Sequence, residues 1–200
     1  MCDALRRKID KKTGEIIKKA NGKRVPLKVL RYFPLKPRLQ RLFMSSKTAS
    51  EMTWHNDKRV KDGVMRHSLH SIAWRHFDEL HEHFASNPRN VWLGLISDGF
   101  QSFNNASSPY CICLVMLVPY NLPPCLCMKQ SNFILSMLIP RPNGPGNAID
   151  VYLQPLIEEL KELLEVGVET YDASKRQNFN LHVALTWTIN DFPAYGMLSG

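Results

Sequence analysis

The sequence predicts an α/β fold in which a mixed sheet follows a basic, mainly helical N-terminal region. Three apolar segments predict consecutive strands, a long amphipathic segment predicts a helix, and an alternating segment predicts a fourth strand. The turn-rich connections favour an antiparallel meander for the first three strands. The helical crossover then makes the last strand parallel to its partner in the sheet.

Composition predicts one ordinary globular domain, or a domain with an appendage. The 200 residues are 44% apolar and 22% charged, which is usual for soluble globular proteins. The net charge of +8 belongs to one end, because residues 1–50 hold fifteen Lys and Arg against three acids, whereas residues 91–200 hold five against nine. The longest apolar run, 111–119, is far below the roughly 20 residues that cross a bilayer. We therefore expect no membrane partner.

Residues 1–28 are predicted to be a basic flexible arm. Basic pairs alternate with polar and small residues, so little of the segment can contribute to a core. It is either a solvated arm or a phosphate-binding arm that doubles as a nuclear-localisation signal, and the two interpretations are compatible. We expect a nuclear protein whose contact with nucleic acid is non-specific and salt-dependent. The candidate contact residues in the arm are Arg6, Arg7, Lys8, Lys11, Lys12, Lys18, Lys19, Lys23 and Arg24.

Residues 29–89 are predicted to be a helical region with many histidines and aromatic residues. Apolar residues recur at helical spacing from Pro37 to Met52, and proline suits the first turn of a helix. Arg38 and Arg41 lie between these apolar positions. A basic amphipathic helix is usually a surface helix, and these two arginines are further candidates for contact with nucleic acid.

Histidines and cysteines invite a zinc hypothesis, which their spacing argues against. Five histidines lie between residues 67 and 83, but they follow no familiar zinc-finger pattern. The pairs Cys111/Cys113 and Cys125/Cys127 have one-residue gaps, whereas a zinc ribbon usually has two. We expect these cysteines to be small core residues and do not expect zinc.

Residues 90–200 are predicted to form the sheet. The first strand is the apolar run 91–96, which ends at Asp98, and two more follow at 110–118 and 133–139. An amphipathic helix starts near Ile149, with Gly167 as its stop and Pro155 as a kink or a delayed start. The last strand alternates from 181 to 190, just before Asp191.

The two aspartates are the candidate catalytic and metal-binding residues. If the last strand docks beside the first, Asp98 and Asp191 emerge together at the carboxyl edge of the sheet. Carboxylates there could share two Mg²⁺ or Mn²⁺ ions, which activate a nucleophile and stabilise the leaving oxygen in phosphoryl transfer. This is the ribonuclease-H-like arrangement. Aspartates at strand ends are also common turn residues, so the pattern alone leaves both roles open.

From Lys28 to Gly200 the sequence resembles the transposase family of plant CACTA elements, also called En/Spm-like. Two of the matching stretches contain the aspartates: Gly-Leu-Ile-Ser-Asp-Gly-Phe at 94–100 and Thr-Ile-Asn-Asp-Phe-Pro-Ala-Tyr-Gly at 188–196. The other stretches are 29–43, 74–78, 87–91, 117–124 and 146–153. The resemblance implies a cut-and-paste DNA transposase with a partial ribonuclease-H-like catalytic core at 90–200. Its partners would be transposon ends and target DNA, with full-length transposase as a candidate oligomer partner.

The resemblance also implies three acidic ligands for two Mg²⁺ (or Mn²⁺) ions, of which Asp98 and Asp191 match the first two. No Asp or Glu follows Asp191, so we expect a fragment of a DDE/D-type transposase that is inactive alone. Glu158, Glu159 or Glu162 on the crossover helix could supply the third ligand, although their positions predict a solvated face. The alternative function is a catalytically dead DNA-binding protein that acts through its basic arm.

Overall fold

A computed structural model describes residues 7–27, 29–58, 60, 62–101, 111–141 and 149–190. Within these residues the chain forms a mixed five-stranded sheet, a separate two-stranded sheet and several helices, which confirms the predicted α/β class. The strands are β1 (Arg31–Tyr32), β2 (Val91–Gln101), β3 (Cys111–Pro119), β4 (Ile134–Arg141), β5 (Val168–Asp172), β6 (Gln177–Leu181) and β7 (Val183–Asn190).

The five-stranded sheet has the order β1-β4-β3-β2-β7. Strands β2, β3 and β4 form the predicted antiparallel meander. Strand β7 returns after the long helix and pairs with β2 in parallel, as the crossover rule requires. The two-residue strand β1, which the sequence did not predict, pairs with β4.

Helices surround the sheet. They are α1 (Lys36–Phe43), α2 (Ser46–Glu51), α3 (Trp54–Asp57), α4 (Ile72–Leu80), α5 (Glu82–Ala85), α6 (Pro124–Cys127) and α7 (Ile149–Glu165), with short 3-10 helices at Ser68–His70 and Gln130–Asn132. The helical pattern that starts at Pro37 forms two helices, α1 and α2, with Pro37 in the first turn of α1 as predicted. No helix in the described ranges is long and apolar enough to span a membrane.

Helix α7 is the predicted crossover helix. It begins at Ile149, and Gly167 follows its end with a φ of 78°, a conformation that favours glycine. Pro155 neither delays the start nor ends the helix, and it lies inside α7, in its second turn. The buried face consists of Ile149, Leu153, Leu156, Leu160 and Leu163.

The last predicted strand differs from the structure in two ways. Its first residue, Leu181, belongs to the hairpin β5–β6, which the sequence did not predict, and β7 begins after His182. Leu185 and Ile189 were expected to be buried by alternation, but they are 37% and 40% exposed. Strand β7 lies at the edge of the described sheet, so its side chains have a neighbouring strand on one side only. Its register with β2 also shifts between Leu93 and Gly94, which interrupts the regular alternation of its side chains.

One hydrophobic core joins the helical region to the sheet. It extends from Leu35 in the segment before α1 to Ala184 in β7. At its centre, Trp74 of α4 stacks on Trp92 of β2 with ring centroids 4.9 Å apart, and Trp74 also contacts Trp187 of β7 at 5.5 Å. This aromatic contact packs α4 against β2 and β7.

The N-terminal segment, residues 7–27, makes backbone contacts of its own. Isolated antiparallel bridges form three pairs within it: Arg7 with Pro26, Ile9 with Ile16, and Lys18 with Arg24. Two turns at Gly14 and Gly22 connect these bridged positions, and both glycines have positive φ values. We call residues 7–27 the basic ribbon.

Candidate metal site and nucleic-acid contacts

Asp98 lies within β2 rather than after it. The apolar run predicted a strand that ends at Ile96, but β2 continues to Gln101 because β3 pairs with it along this whole length. Asp98 is paired with Leu114 of β3, and its side chain is exposed. By alternation it shares a face with Trp92, the residue that the helices cover at the other end of the strand.

The parallel pairing of β2 and β7 brings the two aspartate segments to the same part of the sheet. Ser97 is the Cα partner of Asn190, the last residue of β7. Asp98 follows Ser97 in the sequence, and Asp191 follows Asn190. The predicted docking of the last strand beside the first is therefore confirmed, while Asp191 itself lies outside the described residues.

The chemistry of Asp98 fits a hard divalent cation. In the described part of the chain, its carboxylate makes no hydrogen bond or ion pair, so both oxygens are available to a ligand. Among the described residues, Asp98 included, no group of three or more His, Cys, Asp and Glu side chains is placed to hold a metal ion.

A close backbone contact fixes β2 four residues before Asp98. The ring of Tyr120 lies directly against Gly94, where an added Cβ would be 2.5 Å from the Tyr120 Cε2 atom. Only glycine leaves room for this ring. The segment that carries Asp98 is thus held on a rigid central strand.

Two buried asparagines join the sheet to the helices. The Asn121 amide donates to the carbonyl oxygens of Asn90 at 2.7 Å and Met52 at 3.1 Å, and its Oδ1 accepts from the Trp92 backbone N–H at 3.0 Å. The Asn90 amide donates to the Phe84 carbonyl at 2.7 Å. Buried polar groups of this kind must be fully bonded, which explains why asparagine is needed at both positions.

The sequence pattern predicted that Glu159 lies on a solvated face, and the structure contradicts this prediction. The Glu159 carboxylate accepts hydrogen bonds from the backbone N–H groups of Leu35 at 2.8 Å and Lys36 at 2.9 Å, at the start of α1, and from the Tyr32 hydroxyl. Nearby, Lys36 pairs with Glu162 at 2.5 Å. Glu159 and Glu162 are therefore committed to α1, while Glu158 is exposed and bonded to Gln154.

The predicted nucleic-acid contacts lie on the surface. Arg6 is outside the described residues, whereas every basic residue from Arg7 to Arg24 is exposed in the basic ribbon. On α1, Arg41 is exposed and Arg38 is half-buried over the ring of Phe33, with 5.2 Å from its guanidinium carbon to the ring centre.

Two of the residues that raised the zinc hypothesis, His67 and Cys127, are buried and have structural roles, whereas Cys125 is exposed and is not the small core residue that we expected. His67 accepts a hydrogen bond from the Leu69 backbone N–H at 3.2 Å and contacts Trp54 and Tyr120. Burial raises the pKa of the Cys127 thiol to about 12, which disfavours the thiolate that zinc needs.

Comparison with known proteins identifies the family. The family described as Transposase family tnp2 matches residues 62–200, which is well over half of the chain and includes both aspartates. A search of curated proteins finds no match. The match covers α4, the complete meander, the crossover helix and β7. The parallel pairing of β2 with β7 places the segments that lead to Asp98 and Asp191 side by side. The chain therefore belongs to the transposase family tnp2.

Proposed function

We propose that the chain is the catalytic-core segment of a DDE/D-type transposase of the CACTA (En/Spm-like) kind, with a ribonuclease-H-like fold. One observation carries the proposal: the parallel register that pairs Ser97 with Asn190, the residues that precede the two aspartates. The strand order agrees with it, since an antiparallel meander followed by a helix and a parallel strand is the arrangement expected of that fold.

In this proposal, Asp98 and Asp191 hold Mg²⁺ or Mn²⁺, and the metal would activate water and stabilise the leaving oxygen at a DNA phosphodiester. The protein contributes a rigid strand, fixed by the contact of Gly94 with Tyr120, and hard oxygen ligands at the sheet edge. Glu159 and Glu162 are weak candidates for the third ligand, because α1 already engages both. We expect the 200-residue chain to bind metal but not to cleave DNA by itself.

The transposase family implies that the chain binds DNA. We assign non-specific binding to the exposed cations of the basic ribbon, consistent with a nuclear protein that contacts transposon ends and target DNA. Binding to full-length transposase is a further part of this proposal. A catalytically dead DNA-binding protein is the alternative, and these exposed cations are the observation that favours it.

Calorimetry with Mn²⁺ tests the metal proposal and distinguishes it from the alternative. We expect the wild-type chain to bind Mn²⁺, and Asp98→Asn or Asp191→Asn to weaken binding at least tenfold, because each variant removes a charged ligand. Asp150→Asn, which neutralises an exposed carboxylate in the first turn of α7, is the matched control and should bind as the wild type does. Equal affinities in all four proteins, with DNA binding retained, would favour the alternative.

A further inference from the structure

A groove of about 390 Å³ lies between helices α1 and α2 and the segment that leads into β4. Its lining holds two guanidinium groups, of Arg38 and Arg41, and no carboxylate. The full lining consists of Arg38, Arg41, Leu42, Ser45, Thr48, Ser131, Asn132, Phe133 and Ile134. The groove is thus a cationic concavity built from three separate parts of the chain.

The two arginines have charges that the described protein does not neutralise. Four other cations in the described ranges pair with carboxylates: Lys36, Lys58, Arg66 and Arg89. The Arg38 guanidinium packs over the ring of Phe33, and neither it nor the Arg41 guanidinium makes a hydrogen bond or ion pair in the described part of the chain. Cations left without partners in a concave site attract an anion.

The groove also offers neutral hydrogen-bond donors. The hydroxyl groups of Ser45, Thr48 and Ser131 make no hydrogen bond within the described residues. Hydroxyl and guanidinium groups together are typical partners of phosphate oxygens in protein–DNA contacts. The half-buried side chains of Leu42 and Phe133 give the groove an apolar part, against which a sugar can pack.

The walls of the groove are held in place before any ligand arrives. Helix α1 buries Leu39 and Phe43 in the core, and its first turn is bonded to Glu159. On the opposite wall, the Asn132 amide donates to the Leu126 carbonyl at 2.8 Å. A rigid binding surface loses little conformational entropy when it binds.

We infer that this groove binds the sugar-phosphate backbone of duplex DNA, with Arg38 and Arg41 each engaging a phosphate and the hydroxyl groups assisting. The inference rests on the proposed function, in which DNA is the substrate, and adds a second contact surface, separate from the basic ribbon. Contacts to phosphate and sugar position DNA without reading its sequence, so we expect the groove to bind duplexes of different sequence alike.

The test is the salt dependence of binding to a 30-base-pair duplex in EDTA, measured by fluorescence anisotropy. We expect Arg38→Gln/Arg41→Gln to reduce the magnitude of the slope of log affinity against log salt concentration by about 1.8, because each lost phosphate contact contributes roughly 0.9. Arg38→Lys/Arg41→Lys should retain most of the slope. Ser45→Ala/Thr48→Val should weaken binding several-fold with the slope unchanged, because neutral donors release no counterions.

The matched control is Arg75→Gln/Lys161→Gln, which removes two exposed cations outside the groove. If this control and the groove variant change affinity and slope equally, the groove proposal is wrong. It is also wrong if single-stranded RNA binds more tightly than the duplex and the groove variant weakens only the binding of RNA. EDTA separates this test from the metal proposal, because failure of the groove proposal leaves the Mn²⁺ result unchanged. A wild type that binds no duplex would contradict both the groove proposal and the DNA binding in the proposed function.

Discussion

His55 shows how burial controls a single side chain in this fold. It packs beside the stacked pair of Trp74 and Trp92, with its ring centroid 4.9 Å from that of Trp92, and only 8% of the residue is exposed. Burial lowers the pKa of His55 to about 4, while Asp57 opposes this effect and His67 adds to it. The folded protein therefore keeps His55 neutral at pH values where the unfolded chain protonates it.

This difference predicts a loss of stability in acid. Between pH 7 and pH 5 the unfolded state takes up a proton at His55 that the folded state excludes, so the free energy of unfolding falls by about 2 kcal/mol for this residue. Urea unfolding at the two pH values measures the change. His55→Phe should reduce the pH dependence by this amount, whereas His76→Gln, on the exposed side of α4, should not. An unchanged pH dependence in His55→Phe would show that His55 does not remain neutral.

At the scale of the element, α1 depends on a carboxylate that is distant in the sequence. Glu159 of α7 accepts from the backbone N–H groups of Leu35 and Lys36, which no side chain near α1 in the sequence satisfies. A negative charge at a helix N-terminus is favourable for the helix dipole. The first turn of α1 is therefore stabilised by the crossover helix.

Removing the charge of Glu159 tests this contact. We expect Glu159→Gln to lower the free energy of unfolding by about 1–2 kcal/mol, because an amide oxygen is a weaker acceptor for two N–H groups. Glu158→Gln is the matched control one residue away, on the exposed side of α7, and should change stability by less than about 0.5 kcal/mol. Equal effects of the two substitutions, measured by urea unfolding, would contradict the capping role.

The elements that the sequence predicts are those whose signal is local. The apolar runs of β2, β3 and β4 and the stripe of α7 are visible without tertiary contacts. The hairpin β5–β6 was missed because two of its four buried residues are the polar Thr170 and Asp172, and because Arg176 with a φ of 54° stands in its turn where glycine is usual. The role of Glu159 depends on a partner more than 120 residues away, which no spacing rule detects.

For the candidate site, the structure confirms the predicted parallel docking of β7 beside β2, while the metal-binding roles of Asp98 and Asp191 stay predictions. The sequence did not predict that Asp98 lies inside a longer strand, because the extension depends on pairing with β3. Nor did spacing predict the groove beside Arg38 and Arg41, which needs the segment before β4 as its second wall. Both omissions concern contacts between segments that are far apart in the chain.

At the scale of the whole molecule, the cationic surfaces and the proposed metal ligands belong to different parts of the sequence. The basic ribbon and the groove present unpaired cations, whereas Asp98, the proposed metal ligand among the described residues, lies in β2 in the acidic half of the sequence. Such a division suits an enzyme that holds a polyanion with one surface and cuts it with another. The predicted boundaries at residues 28 and 89 remain predictions, and one hydrophobic core contains residues from both sides of the second boundary.

The central claim, that Asp98 and Asp191 bind one metal centre, is tested most directly by iron-mediated cleavage of the polypeptide. Fe²⁺ that replaces Mg²⁺ generates hydroxyl radicals with ascorbate and peroxide, and these cut the backbone within a few ångströms of the metal. We predict two cuts in the wild-type chain, near residues 98 and 191, that disappear together in either Asp→Asn variant and are suppressed by excess Mg²⁺. Cuts at only one of the two positions, or cuts that persist in the variants, would contradict the account.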